Sequence, residues 1–446
     1  MHTEPKVLLK QVIQKCLPIL QPLAGKYSAP HHVWKKTGEG QWHGEVVQRP
    51  DMMQVFRGTD KETREAGEPF AESFFAHHPE YSGMVGIPGS AVNLGSDRGY
   101  IFHSALGHLW RRHGTFELGE TAVDDLVNEF EAFVDKPAIR LLFRSQLHNL
   151  TMPGDSINLP QGLRIRRMSD DEVSSFHGAM GTLGMWPGAP RLHEFCIEGE
   201  TEEPKVFGNP IGVEQPAIVR VKALLDKAIL CLRTFKEGHV GYDSVHFIPV
   251  TFCPLPLLSY GSGEPYVPFG IYTLKAEEID PLTEHSKLIF GGSEPSMEMA
   301  CSRLADAETR TRPHDRLVDA VIGMETLLLA NLGRKDRTGE LKFRFSLHYS
   351  TLFNTPEDRH RAFRLAKDLY DLRSMVAHGS SLGDKAFSIG DKKLKLPEAA
   401  KQASETLRHL VRHFLPSLKQ APYKKPEFWE RAYFGLPEAP PNIGRS

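Results

Sequence analysis

The strongest constraint on this chain lies near its C-terminal end. Leu365, Leu369, Leu372 and Val376 recur at intervals of 4, 3 and 4 residues, the spacing at which an α-helix returns side chains to one stripe. Pro356 suits a first helical turn, and Gly379 can take the left-handed conformation that ends a helix. The repeat predicts a helix over 356–378 whose seam is buried in a bundle. Leu317, Val321, Met324 and Leu328, widened by Val318, Ile322 and Leu329, predict a second helix from Pro313 to about 332. Further helices are expected from a Ser293 or Ser296 cap to about 309, over 339–353, from Pro397 to about Leu418, and around Trp429 and Phe434. The stretch holding Gly383 and Gly390 reads as a loop.

Residues 1–292 have a different texture. Alternation around Gly38-Glu39-Gly40 predicts a β-hairpin over 30–57. Val123, Leu126, Val127, Phe130, Phe133 and Val134 predict an amphipathic helix at 121–135, with strands expected at 138–149 and 157–167. Ser169 and Glu172 have the spacing of a capping box. A helix over 215–236 precedes two buried strands, HFIPVTFCPLPLL and YVPFGIYTL. The expected fold class is α+β: a mixed α/β N-terminal region, 1–292, with a subdomain break somewhere in 150–215, then an all-α bundle, 293–446. At 446 residues, 40% hydrophobic and 25% charged, the composition fits a globular chain and excludes wholesale disorder.

The five cysteines are scattered without a C-x-x-C pair, which fits a reducing cytosol better than a disulfide framework or a zinc knuckle. Lys10, Gln11, Gln14 and Lys15 interrupt the apolar run 7–20, so an amphipathic helix is expected there rather than a signal or a membrane span. A cytoplasmic protein without membrane contact follows as the expectation. Charge is divided unevenly: residues 301–446 hold 26 Lys and Arg against 18 Asp and Glu, and the rest 28 against 38. A basic module behind an acidic one suits a polyanion partner, although solvated basic helix faces give the same count.

Several motifs are set aside. Residues 379–383 match G-x-S-x-G, but a helix precedes them where a nucleophile elbow needs a strand. His103, His108 and His113 stand five apart, a poor metal spacing on a helix, and His409 with His413 lacks the H-E-x-x-H glutamate. No phosphate-binding glycine loop is present in the sequence. No metal and no cofactor are expected.

An R-x4-H pattern occurs three times, as Arg98/His103, Arg373/His378 and Arg408/His413, so spacing alone distinguishes none of them. Context singles out the second, which closes the best-patterned helix. The run DRLVDAVIGMETLLL (315–329), then Gly339-Glu340-Leu341, then LYDLRSMVAHG (369–379) resembles the Apea-like HEPN domain, a branch of the HEPN ribonuclease superfamily found in prokaryotic anti-phage abortive-infection proteins. The resemblance covers about 294–435, with a weaker likeness over 216–238. It implies a metal-independent endoribonuclease in which Arg373 and His378 are catalytic and two copies pair through the bundle to complete the site. It also implies an RNA substrate, single-stranded or in tRNA loops, and an N-terminal region that restrains or triggers the nuclease, the trigger being a phage-derived protein. Ser374 stands where many members carry Asn, Asp or His.

The chemistry is coherent on its own terms. RNA supplies its nucleophile, the 2′-OH, so proton transfer by a histidine and anion stabilisation by an arginine suffice. Glu325 and Asp371 are candidates to orient the Arg or the His, or are structural ion pairs. Arg334, Lys335, Arg337, Lys342 and Arg344, with Arg359, Arg361, Arg364 and Lys367, are candidates for an RNA-facing rim. Tyr349, Phe353 and Tyr370 would stack bases or fill the core. The alternative is a non-catalytic HEPN module for RNA binding or dimerisation. In residues 1–292 no catalytic constellation is recognised.

Overall fold

The computed structural model describes residues 2–38, 41–181, 192–209, 215–255, 259–260, 270–292, 294–333, 340–379 and 385–436. It is an α+β protein with fourteen α-helices and several small sheets among these residues. Chain contacts divide it into two compact units, each discontinuous in sequence. The first comprises Met1–His148, Gly162–Leu224 and Tyr242–Glu264, the second Asn149–Gln161, Leu225–Gly241 and Pro265–Ser446. The second unit thus takes in three stretches that precede residue 293.

The first unit opens with α1 (Thr3–Lys26), which buries Leu9, Val12, Ile13, Cys16, Leu17 and Leu20 along one side. An antiparallel hairpin follows, Ser28–Gly38 against Gln41–Pro50, with the expected turn residues Glu39 and Gly40 outside the described residues. Asp51 caps α2 (Met52–Gly58) by accepting from the Met53 and Gln54 amides. The stretch without periodicity contains α3 (Asp60–His77) and α4 (Tyr100–His113). On α5 (Glu120–Asp135) Val123, Leu126, Val127, Phe130 and Phe133 are buried. Phe130 and Phe74 meet edge-to-face at 5.6 Å, and Phe130 stacks on Phe252 at 5.2 Å. This aromatic cluster is the centre of the unit's core.

The unit's main sheet runs, in spatial order, Ser259–Tyr260, Gly241–Pro249, Ala138–His148, Phe195–Pro204 and Arg164–Arg167. The central pair is antiparallel, with Ala138 opposite Pro204 and Leu147 opposite Phe195. Before α6 (Asp170–Gly181) the capping box forms in both directions: Ser169 N donates to Glu172 Oε2 at 2.9 Å and Glu172 N to Ser169 Oγ at 3.2 Å. The Arg166 guanidinium also grips Glu172 at 2.7 and 2.8 Å, the main cause of a carboxyl held down to about 2. Helix α7 (Pro216–Phe235) begins in this unit and ends in the second.

The second unit is a helical bundle of α8 (Ile279–Gly291), α9 (Pro295–Thr309), α10 (Pro313–Leu328), α11 (Leu341–Thr351), α12 (Pro356–Ala377), α13 (Leu396–Phe414) and α14 (Pro426–Tyr433). Helix α10 is central and packs on α9, α12 and α13. A Cβ on Gly323 would stand 2.5 Å from Leu407 Cδ2, so glycine there permits the close approach of α10 to α13. The cap of α9 is Glu294, which accepts from Met297 N at 2.9 Å. That differs from the expected serine caps; Ser293 lies outside the described residues, and Ser296 lies inside the helix.

One element departs from the all-helical expectation. Residues read as loop form an antiparallel hairpin, Ala386–Ile389 against Lys392–Lys395, with Gly390 at φ +60° opening a two-residue turn. Asp368 on α12 accepts from Gly390 N at 2.9 Å, and Arg364 donates to Gly390 O at 3.1 Å. Helix α10 stops at Leu328, short of 332, and α13 passes into a 3₁₀ turn at Leu415–Ser417. Trp429 on the short tail helix is buried and stacks at 4.1 Å on His348, while Phe434 is exposed. No helix among the described residues is long and apolar enough to cross a membrane.

Candidate functional site

Helix α12 delivers the second R-x4-H pair to the end of the bundle. Thr355 caps its start by accepting from Asp358 N at 3.1 Å, and Ala362, Ala366, Leu369 and Leu372 are buried. At the other end His378 N donates to Ser374 O at 3.0 Å, and Gly379 takes the left-handed conformation at φ +71°. The apolar stripe fixes the rotation of the helix, and the cap fixes where it stops. Both candidate catalytic residues are therefore held by local rules.

Arg373 is half-buried on α12, beside Glu325 in the last turn of α10. Its Nη2 donates to Glu325 Oε2 at 3.5 Å, beyond the usual range for a charge-assisted bond. Its Nε is buried and meets no hydrogen-bond partner among the described residues. Tyr370, one turn earlier, has its hydroxyl pushed above the ordinary tyrosine range by burial first and then by the Glu325 charge. His378 is exposed, and its side chain has no hydrogen bond or ion pair among the described residues. Five residues along a helix amount to a rise of about 7.5 Å and a net turn of about 140°, and nothing described joins Arg373 to His378 within one chain. The site consists of a weakly engaged guanidinium and, at the adjoining helix end, a solvent-facing imidazole.

The remaining candidates fall in different places. Asp371 faces Lys342 on α11 at 2.9 and 3.2 Å rather than Arg373 or His378. Ser374 contributes its carbonyl to the helix end. Arg361 pairs with Asp358, and Arg364 with Asp391 at 3.1 Å. Of the described rim candidates Lys342, Arg344, Arg361 and Arg364, Arg344 is exposed with no ion pair to its side chain among the described residues. Arg334, Lys335 and Arg337 lie outside the described residues. Tyr349 is buried, with its ring 5.3 Å from Phe353, and Tyr370 meets Phe345 at 5.2 Å. These rings are core contacts. Met375, 39% exposed between the two candidates, is an apolar side chain that the sequence reading did not single out.

The other two R-x4-H pairs are consumed by structure. Arg98 pairs with Glu68 at 3.2 Å, and His103 Nε2 bonds Thr63 Oγ1 at 2.8 Å. Arg408 is 1% exposed and donates to Glu308 at 2.6 Å. Among the three, Arg373 alone lacks a partner at 3.2 Å or closer among the described residues. No protein-family model, no curated protein and no solved structure matches the chain.

Proposed function

We propose that the α12 end is the active site of a metal-independent endoribonuclease of the HEPN type, with Arg373 and His378 as its working groups. The supporting observation is the state of Arg373: one long contact to Glu325, a buried Nε without a partner, and an exposed imidazole on the adjoining turn. A guanidinium left with spare donors at a bundle edge suits a phosphate oxyanion. In the reaction His378 takes the proton of an RNA 2′-OH, the 2′-oxygen attacks phosphorus, and the bond to the 5′-oxygen breaks. The leaving oxygen takes up a proton, and a 2′,3′-cyclic phosphate and a 5′-hydroxyl result. Arg373 stabilises the charge that develops on the phosphoryl oxygens.

The 140° offset places the two groups on different sides of one helix, so the proposed enzyme is a homodimer in which Arg373 of one copy works with His378 of the other. The exposed Met375 lies between them and would give such a contact an apolar centre. The substrate class is single-stranded RNA or tRNA loops, where a 2′-OH reaches in-line geometry more readily than in an A-form duplex. In the cell the enzyme would act in the cytoplasm as an anti-phage abortive-infection effector. The acidic N-terminal part would restrain it until a phage-derived protein releases it. End mapping of RNA cut by wild type and by His378→Ala, with EDTA present, tests the chemistry. Cyclic-phosphate ends that depend on His378 support it, and RNA left intact by a folded, dimeric wild type under every trigger condition sinks it.

A second reading, a non-catalytic RNA-binding or dimerisation module, draws on one observation: no described side chain orients His378. Working histidines usually have such a partner. Binding of RNA without cutting, unchanged in His378→Ala, favours this reading.

A further inference from the structure

The first unit contains a cleft that the nuclease chemistry leaves unused. It has a volume of about 740 Å³ and opens beside α4. Tyr100, His103, Ser104, Gly107, His108 and Arg111 line it at intervals that return to one face of the helix. Phe56 of α2, with Phe247 and Ile248 of the strand Gly241–Pro249, contributes apolar lining.

The charged groups at this cleft are not all engaged. Arg64 is shared between Asp60 at 2.7 Å and Asp97 at 3.0 Å, and Arg112 pairs with Glu129 at 2.5 Å. Arg111 is exposed and forms no ion pair or side-chain hydrogen bond among the described residues, so its guanidinium is open to a ligand.

The two histidines add no charge to the cleft. Thr63 Oγ1 donates to Thr59 O at 2.8 Å, so in its 2.8 Å contact with His103 Nε2 it accepts, and the ring carries its proton on Nε2. On His103, Nδ1 is the atom left to accept. His108 Nε2 is buried 3.2 Å from Glu129 Oε2 and forms no hydrogen bond among the described residues. Burial is the first cause holding both imidazoles below the ordinary histidine range, and so uncharged at neutral pH.

Gly107 gives the third observation. It lies in the interior of α4, where glycine is a poor helix residue compared with alanine. A Cβ there would meet only Phe56 Cε2, at an ordinary 3.8 Å. Packing therefore does not demand glycine. The missing side chain keeps the middle of the cleft clear.

We infer that this cleft is a binding site for a small monoanionic ligand with a flat aromatic body, its anionic group on Arg111 and its ring lying over Gly107 against Phe56 and Phe247. The size suits a small organic molecule, and a single guanidinium without an ion-pair partner among the described residues matches one anionic group. The site is independent of the Arg373 and His378 chemistry.

The test uses the full chain and two fluorescent probes with the same rings, 8-anilinonaphthalene-1-sulfonate and uncharged N-phenyl-1-naphthylamine. Titration of wild type is expected to show one saturable site per chain for the sulfonate. Arg111→Gln should weaken the sulfonate by about tenfold, the loss of one charge-assisted bond, and leave the uncharged probe unchanged. Gly107→Ala should raise Tm and weaken both probes, and Gly107→Leu should abolish binding of both without lowering Tm below wild type. Unsaturable binding, sulfonate affinity unchanged in Arg111→Gln, or probe binding unchanged in both Gly107 variants overturns the assignment.

Discussion

Glu308→Ala is expected to unfold the bundle more readily than any other single change at its charged groups. The Glu308 carboxylate is 2% exposed and accepts from Arg408 Nη2 at 2.6 Å and from Arg316 Nη2 at 3.2 and 3.4 Å. Gly238 N donates to the same carboxylate at 3.4 Å. Arg408 is itself 2% exposed at its side chain, and its other partner, Glu405, is 44% exposed. Removing Glu308 leaves a guanidinium buried with half its compensation gone, a loss of about 3–5 kcal/mol. For a unit of about 200 residues, each kcal/mol moves Tm by about 2–4 °C, so the transition should fall by roughly 6–20 °C. Calorimetry on the whole chain measures this, and Glu308→Met combined with Arg408→Met should recover most of the loss, because a buried pair replaced by apolar groups is often near neutral. A drop under about 1 kcal/mol for Glu308→Ala would show that the Arg408 charge does not depend on Glu308. The same logic makes Arg408 a stability residue, unlike Arg373.

Three further outcomes are expected. Arg373→Ala should change stability by less than about 1 kcal/mol, since its one contact is long and partly solvated, and yet abolish RNA cutting; a large loss in a urea titration would mark Arg373 as structural. Gly323→Ala should cost about 1–3 kcal/mol by forcing its new methyl against Leu407, read as a lower urea midpoint. His285 is buried, its Nε2 2.8 Å from Thr234 Oγ1, and burial pushes the ring down to about 4. Its folded value lies below the unfolded one of about 6.5, so the unfolded chain binds more protons between them and stability falls as pH drops from 6.5 towards 4. The fall should be shallower in His285→Gln, and an equal pH slope for both proteins would contradict this.

What could be read from the sequence was whatever local periodicity and local hydrogen bonding decide. The 4, 3, 4 repeat of α12 placed that helix within a residue of its observed end and put Gly379 in its left-handed position. The six-residue stripe of α5 and the Ser169–Glu172 box were legible for the same reason. Helix α3 was not: it is polar and carries Pro69, and forms because Phe70 and Phe74 reach the aromatic core. The hairpin at 386–395 has strands of four residues, the second rich in lysine, with Ile389 its one buried apolar residue. Its cue was the Gly390-Asp391 turn, which loop composition obscured.

At the site, spacing could not tell Arg373 from Arg408. The difference is burial against Glu308, a residue 100 positions away, and sequence order carries no trace of it. The basic rim was visible as composition, but its compensation was not. Lys342 finds Asp371 and Arg364 finds Asp391 across 29 and 27 residues. Only the Arg361–Asp358 pair, at i, i+3, lay within the reach of local reading.

In the proposed enzyme Arg373 and His378 cut RNA. The most direct measurement of this is end-mapped cleavage of total cellular RNA by the full chain in EDTA, with and without phage lysate, comparing wild type with His378→Ala and Arg373→Ala at matched stability. Discrete cuts bearing 2′,3′-cyclic phosphates, present with wild type and lost with either variant, are expected. Intact RNA with wild type in every condition, or identical cuts by all three proteins, contradicts the assignment.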